Sequence, residues 1–167
     1  MPRRLAILVL LCVLGAMLAV VESAPAKSPL PGSVQSPARF VPPPPPKEPT
    51  LAQQAVKIAR TQLGVPYVYG GASPGGFDCS GLVMWVYGRL GVALPHNAAA
   101  LYSTGRFVSL SHLRPGDLVF FHGLGHVGIY IGHGRMIHAP QTGELVEIEA
   151  LGERSGAVEG ARRITTA

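Results

Sequence analysis

Residues 115–139 read PGDLVFFHGLGHVGIYIGHGRMIHA. Pro115-Gly116 is a turn signal, and Asp117 to His122, His126 to Ile131 and Arg135 to Ala139 are short apolar segments parted by Gly-rich turns. This spacing predicts antiparallel strands joined as hairpins. Glu144 to Glu149 and about Ala157 to Ile164 continue the pattern downstream. Upstream the periodicity is helical. Thr50, with Gln53 as its capping-box partner, predicts a helix from Leu51 to about Leu63, stopped at Gly64. A Gly- and Pro-rich loop follows from Val65 to Phe77. Asp78 then caps a second helix, Cys79 to Leu90, ended by Gly91, with Leu82, Val83, Val86, Tyr87 and Leu90 on one face. A third, short helix starts at Asn97. Helices first and a sheet second predict an α+β domain over residues 50–167, its N-terminal helices packed on an antiparallel sheet.

Residues 1–49 have a different character. Two arginines precede the uncharged apolar run Leu5 to Val21, which reads as a signal peptide over residues 1–24. Small residues set candidate cleavage points after Ser23 or Ala26. Retention as an uncleaved anchor is the competing reading, and only then is a membrane contact expected. Cys12 follows Leu11, where lipoprotein processing needs a small residue, so it reads as an apolar filler. Residues 25–49 contain ten prolines and few apolar side chains, and form a spacer that cannot bury a core.

Composition removes several classes. Hydrophobic residues make up 47% of the chain, too many for a fully disordered protein. No Gly-X-Y period is present, and two cysteines cannot build a disulfide scaffold. The net charge of +5 is concentrated outside the domain: residues 1–49 hold five basic and two acidic residues, and residues 50–167 nine and seven. The high pI therefore makes no case for nucleic-acid binding.

With Cys12 in the leader, Cys79 is the one cysteine of the domain. It opens a helix behind a Gly-rich loop, where unpaired backbone N–H groups and the helix dipole are expected to favour thiolate and to offer donors for an oxyanion. All six histidines fall in the domain. If Gly132-His133-Gly134 is a three-residue hairpin loop, Gly128 pairs with His138, and His126 and His138 become diagonal neighbours on one sheet face. His126 can then act as base toward Cys79 while His138 fixes its tautomer. A two-residue loop would place them on opposite faces. A metal use of His122 and His126 is disfavoured, because Gly123, Leu124 and Gly125 between them point to a turn. His133, His96 and His112 read as solvated polar residues.

Five segments together resemble one family: Pro66 to Gly71 (PYVYGG), Gly76 to Val83 (GFDCSGLV), Pro115 to Phe121 (PGDLVFF), His126 to Gly132 (HVGIYIG) and Ile137 to Pro140 (IHAP). Their order and spacing are similar to those of NlpC-type bacterial cell-wall cysteine peptidases. The resemblance implies a papain-like α+β fold and a Cys-His-His peptidase acting on peptidoglycan stem peptides, typically at the amide between D-γ-glutamate and diaminopimelate or lysine. It assigns Cys79 as nucleophile, His126 as general base and His138 as the orienting third residue. Tyr67 matches a tyrosine that lines the site and can help the oxyanion, and Asp78 and Ser80 match residues that face a free substrate amine. Relatives often carry Trp where this chain has Tyr69, and Arg where it has His96.

No metal or organic cofactor is implied, and a monomer is expected. The implied location is secreted, in the cell wall or periplasm, and a mildly basic domain suits an anionic wall. Two other functions use the same fold: a cysteine amidase cutting between the lactyl group and L-alanine, and a non-catalytic wall-binding module. An intact Cys79, His126 and His138 speaks against the latter.

Overall fold

The computed structural model describes residues 48–153, 156 and 158–165. The proposed leader, Cys12 and the Pro-rich spacer through Lys47 lie outside them.

Helix α1, Leu51–Arg60, begins where its capping box predicts. The Thr50 hydroxyl accepts from the Gln53 amide at 3.3 Å, and Gln53 Oε1 accepts from the Thr50 amide at 2.8 Å. It ends before the expected Leu63 because the last turn tightens into i→i−3 bonds through Leu63, and Gly64 takes φ +85°. After the short hairpin of β1 (Ala72–Ser73) and β2 (Gly76–Phe77) comes α2, Cys79–Gly88. Asp78 caps α2 by accepting from the Gly81 amide at 2.6 Å. Leu82, Val83, Val86 and Tyr87 are all buried, which makes α2 the central helix. The Tyr87 hydroxyl donates to the Gly116 carbonyl at 2.6 Å, and burial pushes its pKa well above the ordinary tyrosine value. Helix α3, Ala98–Tyr102, starts behind Asn97 as expected.

The main sheet holds β3 (Arg106–Val108), β4 (Leu118–Phe121), β5 (His126–Gly132), β6 (Arg135–His138), β7 (Glu147–Ala150) and β8 (Gly160–Arg163). All pairs are antiparallel, in the order β3-β8-β4-β5-β6-β7, so the last strand slots between β3 and β4. The α+β expectation is therefore correct, while the β1–β2 hairpin falls in the stretch read as loop and β3 in a stretch for which no element was expected. Strand alternation gives the sheet two apolar faces. Leu118, Phe120, Val127, Ile129 and Ile137 join the cluster built on the helices, and Val119, Phe121 and Met136 form a second one with Val108 and Ala161. Among the described residues no helix is long and apolar enough to cross a membrane.

The β5–β6 turn corrects the expected loop. Gly132 pairs with Arg135, so the turn has two residues, His133 and Gly134, at φ +54° and +68°. Positive φ at both central positions belongs to the type I′ turn, whose twist matches a hairpin better than a looser loop does. The register then shifts between Tyr130 and Gly132, leaving Ile131 as a bulge, and Ile129 faces Ile137. Continuing that pairing by one residue sets His138 beside Gly128. The bulge thus restores the face-sharing that a two-residue turn alone would have destroyed.

Candidate active site

Three local devices place Cys79. The segment before α2 is tied into a small network in which Val68 donates to the Phe77 carbonyl at 2.9 Å, Phe77 to Pro66 at 3.1 Å and Asp78 to Gly71 at 2.9 Å. The cap then starts α2 at Cys79 itself. Gly81 lets the first turn approach that loop: a Cβ there would collide with the Gly71 carbonyl and come within 2.9 Å of His96 Nε2. Cys79 is a free thiol lining a cleft of about 420 Å³ together with Tyr67, Asp78, Ser80, His96 and Leu124.

The sulfur faces the start of β5. The backbone amide of Val127, one residue past His126, lies close enough to favour the thiolate, as do the amides of the first turn of α2. These donors favour thiolate, in line with the helix-start argument, but they do not prevail. Burial, reinforced by the negative charge of Asp78, pushes the Cys79 thiol up from its ordinary value. The helix start thus pulls the thiol toward thiolate, while its partial burial beneath the cleft and the Asp78 charge pull harder the other way.

His126 and His138 do meet. Nε2 of His126 lies 2.9 Å from Nδ1 of His138, with ring planes at 89°. His126 is 6% exposed and His138 fully buried. Both lie on the sheet face of Phe121, whose ring is 6.3 Å from that of His126. His122 belongs to the turn at residues 122–125, at φ +54°, with its ring 6.4 Å from that of His126. Among the described residues no group of three or more His, Cys, Asp or Glu side chains is disposed to hold a metal ion.

Tyr67, Asp78 and Ser80 all border the cleft. Burial, then the charges of Cys79, Asp78 and Tyr69, raise the Tyr67 phenol above its usual value, so it stays a hydroxyl donor. The Asp78 carboxylate accepts from the Gly81 amide, from Ser80 Oγ at 3.0 Å and from the Gly70 amide at 3.0 Å. His96 Nε2 is 2.9 Å from both of its oxygens. Burial alone would raise the Asp78 pKa, but the bonds from Gly81, His96 and Ser80 outweigh it and hold the carboxyl below its usual range.

Two residues depart from the sequence reading. His96, taken as a solvated loop residue, is part of the cleft wall through Asp78. Its signal was its place after Leu94-Pro95, where many members of the resembled family carry Arg. Glu149 lies behind His138, with Oε2 at 3.0 Å from Nε2. Only the alternation Val146, Glu147, Ile148, Glu149 hinted at it, since nothing in the sequence set the β6–β7 register.

The arrangement is a cysteine thiol bordering an open cleft and, on the strand β5 against which it sits, a histidine bonded to a second histidine. The NlpC/P60 family model matches residues 64–157. A probable endopeptidase of Mycobacterium tuberculosis is 50% identical over 109 residues, which span 65% of this chain and 28% of that protein. The gamma-D-glutamyl-L-lysine dipeptidyl-peptidase of Bacillus subtilis is 39% identical over 108 residues, 61% of this chain and 36% of that one. The chain thus spans little more than a quarter of the length of its mycobacterial relatives. Among solved structures, the NlpC/p60 domain of the peptidoglycan hydrolase SagA superposes with a TM-score of 0.63 at 36% identity, covering 68% of this chain and 98% of that domain. A family protein from Bacillus cereus gives a TM-score of 0.65 at 37% identity over 69% of this chain and 40% of that one.

Proposed function

The chain belongs to the NlpC/P60 family, and from that premise we infer that residues 50–167 are a cysteine peptidase domain cleaving peptidoglycan stem peptides at the amide between D-γ-glutamate and diaminopimelate or lysine. The observation that carries this reading is the join at β5: the Val127 amide on the Cys79 sulfur and, one residue earlier, His126 bonded to His138. The relative from Bacillus subtilis, named for a γ-D-glutamyl-L-lysine bond, supports the choice of amide. The site of action is the cell envelope, reached by export through the N-terminal leader.

In the proposed reaction His126 takes the Cys79 proton as the sulfur bonds to the γ-carbonyl carbon. The resulting oxyanion accepts from backbone donors at the α2 start, with the Tyr67 hydroxyl as a further donor. Collapse breaks the C–N bond, and the proton held by His126 passes to the leaving amine. Water, deprotonated by His126, then hydrolyses the thioester and restores the thiol. Asp78 and Ser80 are assigned to the substrate side of the cleft, toward a free amine.

The test is mass spectrometry of muropeptides and of free stem peptides, each of both diamino acid types, after incubation with the purified chain and with Cys79→Ala. Expected is a fragment ending in L-alanyl-D-glutamate, free from the stem peptide or still glycan-linked from the muropeptide, and a new amine on the diamino acid, both absent for Cys79→Ala. Release of intact stem peptides from the lactyl group would replace this reading with the amidase. No product, or equal product from Cys79→Ala, would leave a binding module.

A further inference from the structure

The third residue of the triad is a histidine, which brings no fixed negative charge, yet the fold sets two carboxylates behind it. In the β6–β7 pairing His138 faces Glu147 and Met136 faces Glu149. Strand alternation therefore puts both glutamates on the sheet face of His138. Glu149 Oε2 lies 3.0 Å from His138 Nε2, and Glu147 Oε1 lies 3.9 Å from the same atom. The Glu149 side chain is 21% exposed and that of Glu147 52%, against 0% for His138. The other nitrogen of His138, Nδ1, meets His126 Nε2 at 2.9 Å.

We propose that Glu149 is a positioning residue, the outermost member of the line Cys79, His126, His138, Glu149, and that it decides which nitrogen of each imidazole carries a proton. A carboxylate can only accept, so its place beside Nε2 favours the His138 tautomer protonated there. Nδ1 of His138 then presents a lone pair, which accepts the Nε2–H of His126. That leaves Nδ1 of His126 as the basic nitrogen. With the opposite tautomer of His138, Nδ1–H would point at His126, hold Nε2 as an acceptor and move the proton to the nitrogen that must be basic. Glu149 also faces the positive charge that arises when His126 takes the thiol proton, and a neutral histidine alone cannot offset that charge. The groups around the pair are Glu147 and Glu149 from β7, the His122 ring from the turn and Phe121 from β4. Of the two carboxylates, Glu149 is the nearer and the better shielded from water, so it carries the larger share.

The role in hydrolysis rests on the peptidase reading, but the tautomer does not, and the test uses both. Nitrogen-15 NMR of the imidazoles across pH is compared for the full chain, Glu149→Gln, Glu149→Asp and Glu147→Gln, together with kcat/KM on muropeptides over the same range. Expected in the unaltered chain is His138 protonated at Nε2. In Glu149→Gln, both histidines should titrate lower by about half to one pH unit, the modest shift expected of a partly exposed partner. The histidine limb of the kcat/KM profile should move the same way, and kcat/KM should fall about 3- to 30-fold. Glu149→Asp should recover at least half of the titration shift. Unchanged histidine titrations in Glu149→Gln would overturn the proposal, as would a shift of equal size in Glu147→Gln. So would equal losses in Glu149→Gln and Glu149→Asp with an unmoved pH profile, the signature of a purely structural role. A chain that cleaves no muropeptide would sink the peptidase reading while the NMR titrations still decide the role of Glu149.

Discussion

Nε2 of His126 and Nδ1 of His138 lie 2.9 Å apart with their rings nearly perpendicular. One must donate and the other accept, so the proton positions on the two imidazoles are set together.

That coupling grades the effects of substitution. His126→Ala removes the proposed base and should lower kcat/KM by about 10³-fold or more, within the range of general acid–base contributions. His138→Ala removes only the orienting acceptor and should cost about 10²-fold. His138→Gln, whose carbonyl can still accept from His126 Nε2–H, should recover part of that loss. Steady-state kinetics on a muropeptide, with circular dichroism to confirm folding, checks the order. A His138→Ala enzyme as active as the unaltered one would break the assignment.

The pH dependence of Cys79 separates two resting states. Burial first, and then the Asp78 charge, hold the thiol above its ordinary value of about 8.5. The expected resting state is the neutral thiol, with His126 taking its proton during attack. The iodoacetamide alkylation rate should be low at pH 7 and still climbing beyond pH 9. The sign for stability follows: the folded state keeps this proton longer than the unfolded chain, so folding is favoured below the unfolded value and loses that advantage as pH rises past it. A rate already on a plateau at pH 7 would instead show a resting thiolate–imidazolium pair.

Asp78 has the opposite sign. Burial would raise it, but hydrogen bonds from Gly81, His96 and Ser80 hold its folded pKa below the unfolded value of about 4. The stability it contributes is present above that value and disappears as pH falls through the lower, folded one. Asp78→Asn keeps a side chain able to cap α2 and removes the charge, so it isolates this term. Urea unfolding should show the variant less stable by about 1 kcal/mol at pH 7, less than the roughly 1.5–3 kcal/mol of a buried hydrogen bond to a charged group because the cleft is open to water. The gap should narrow at pH 3. A gap of constant size across that range would show that the charge is not responsible.

Local chemistry explains what could be read from the chain and what could not. Thr50, Asp78 and Asn97 each start a helix through a cap that involves only the next three residues, so those starts were visible. Helix ends were less so, because α1 and α2 finish in tightened turns before Gly64 and Gly91. Four of the five strands expected after Pro115 stand within a few residues of their places, and β8 is narrower than its segment. Strand β3 escaped notice because three residues give no alternation, and it forms only by pairing with β8, far along the chain. The same distance hid Glu149, whose meeting with His138 needs the β6–β7 register. For the Cys79 thiol, sequence reported the helix start that favours thiolate but not the burial that opposes it.

The Asp117–Arg163 pair tests how the last strand is locked into the sheet. Asp117 is 1% exposed, and it accepts from Arg163 Nε at 2.6 Å, from Arg163 Nη2 at 2.7 Å and from the Arg114 amide at 2.7 Å. Arg163 ends β8, between β3 and β4, and its side chain is 15% exposed. The Arg163 fork supplies two of the three donors to this carboxylate and its only charge partner among the described residues. Arg163→Ala strands a buried charge and should destabilise the fold by about 3–5 kcal/mol. The double variant Asp117→Asn with Arg163→Ala removes the uncompensated charge and should recover part of that loss. Thermal melts of the three proteins measure the coupling: a double variant no more stable than Arg163→Ala would show that lost packing, and not the stranded carboxylate, sets the cost.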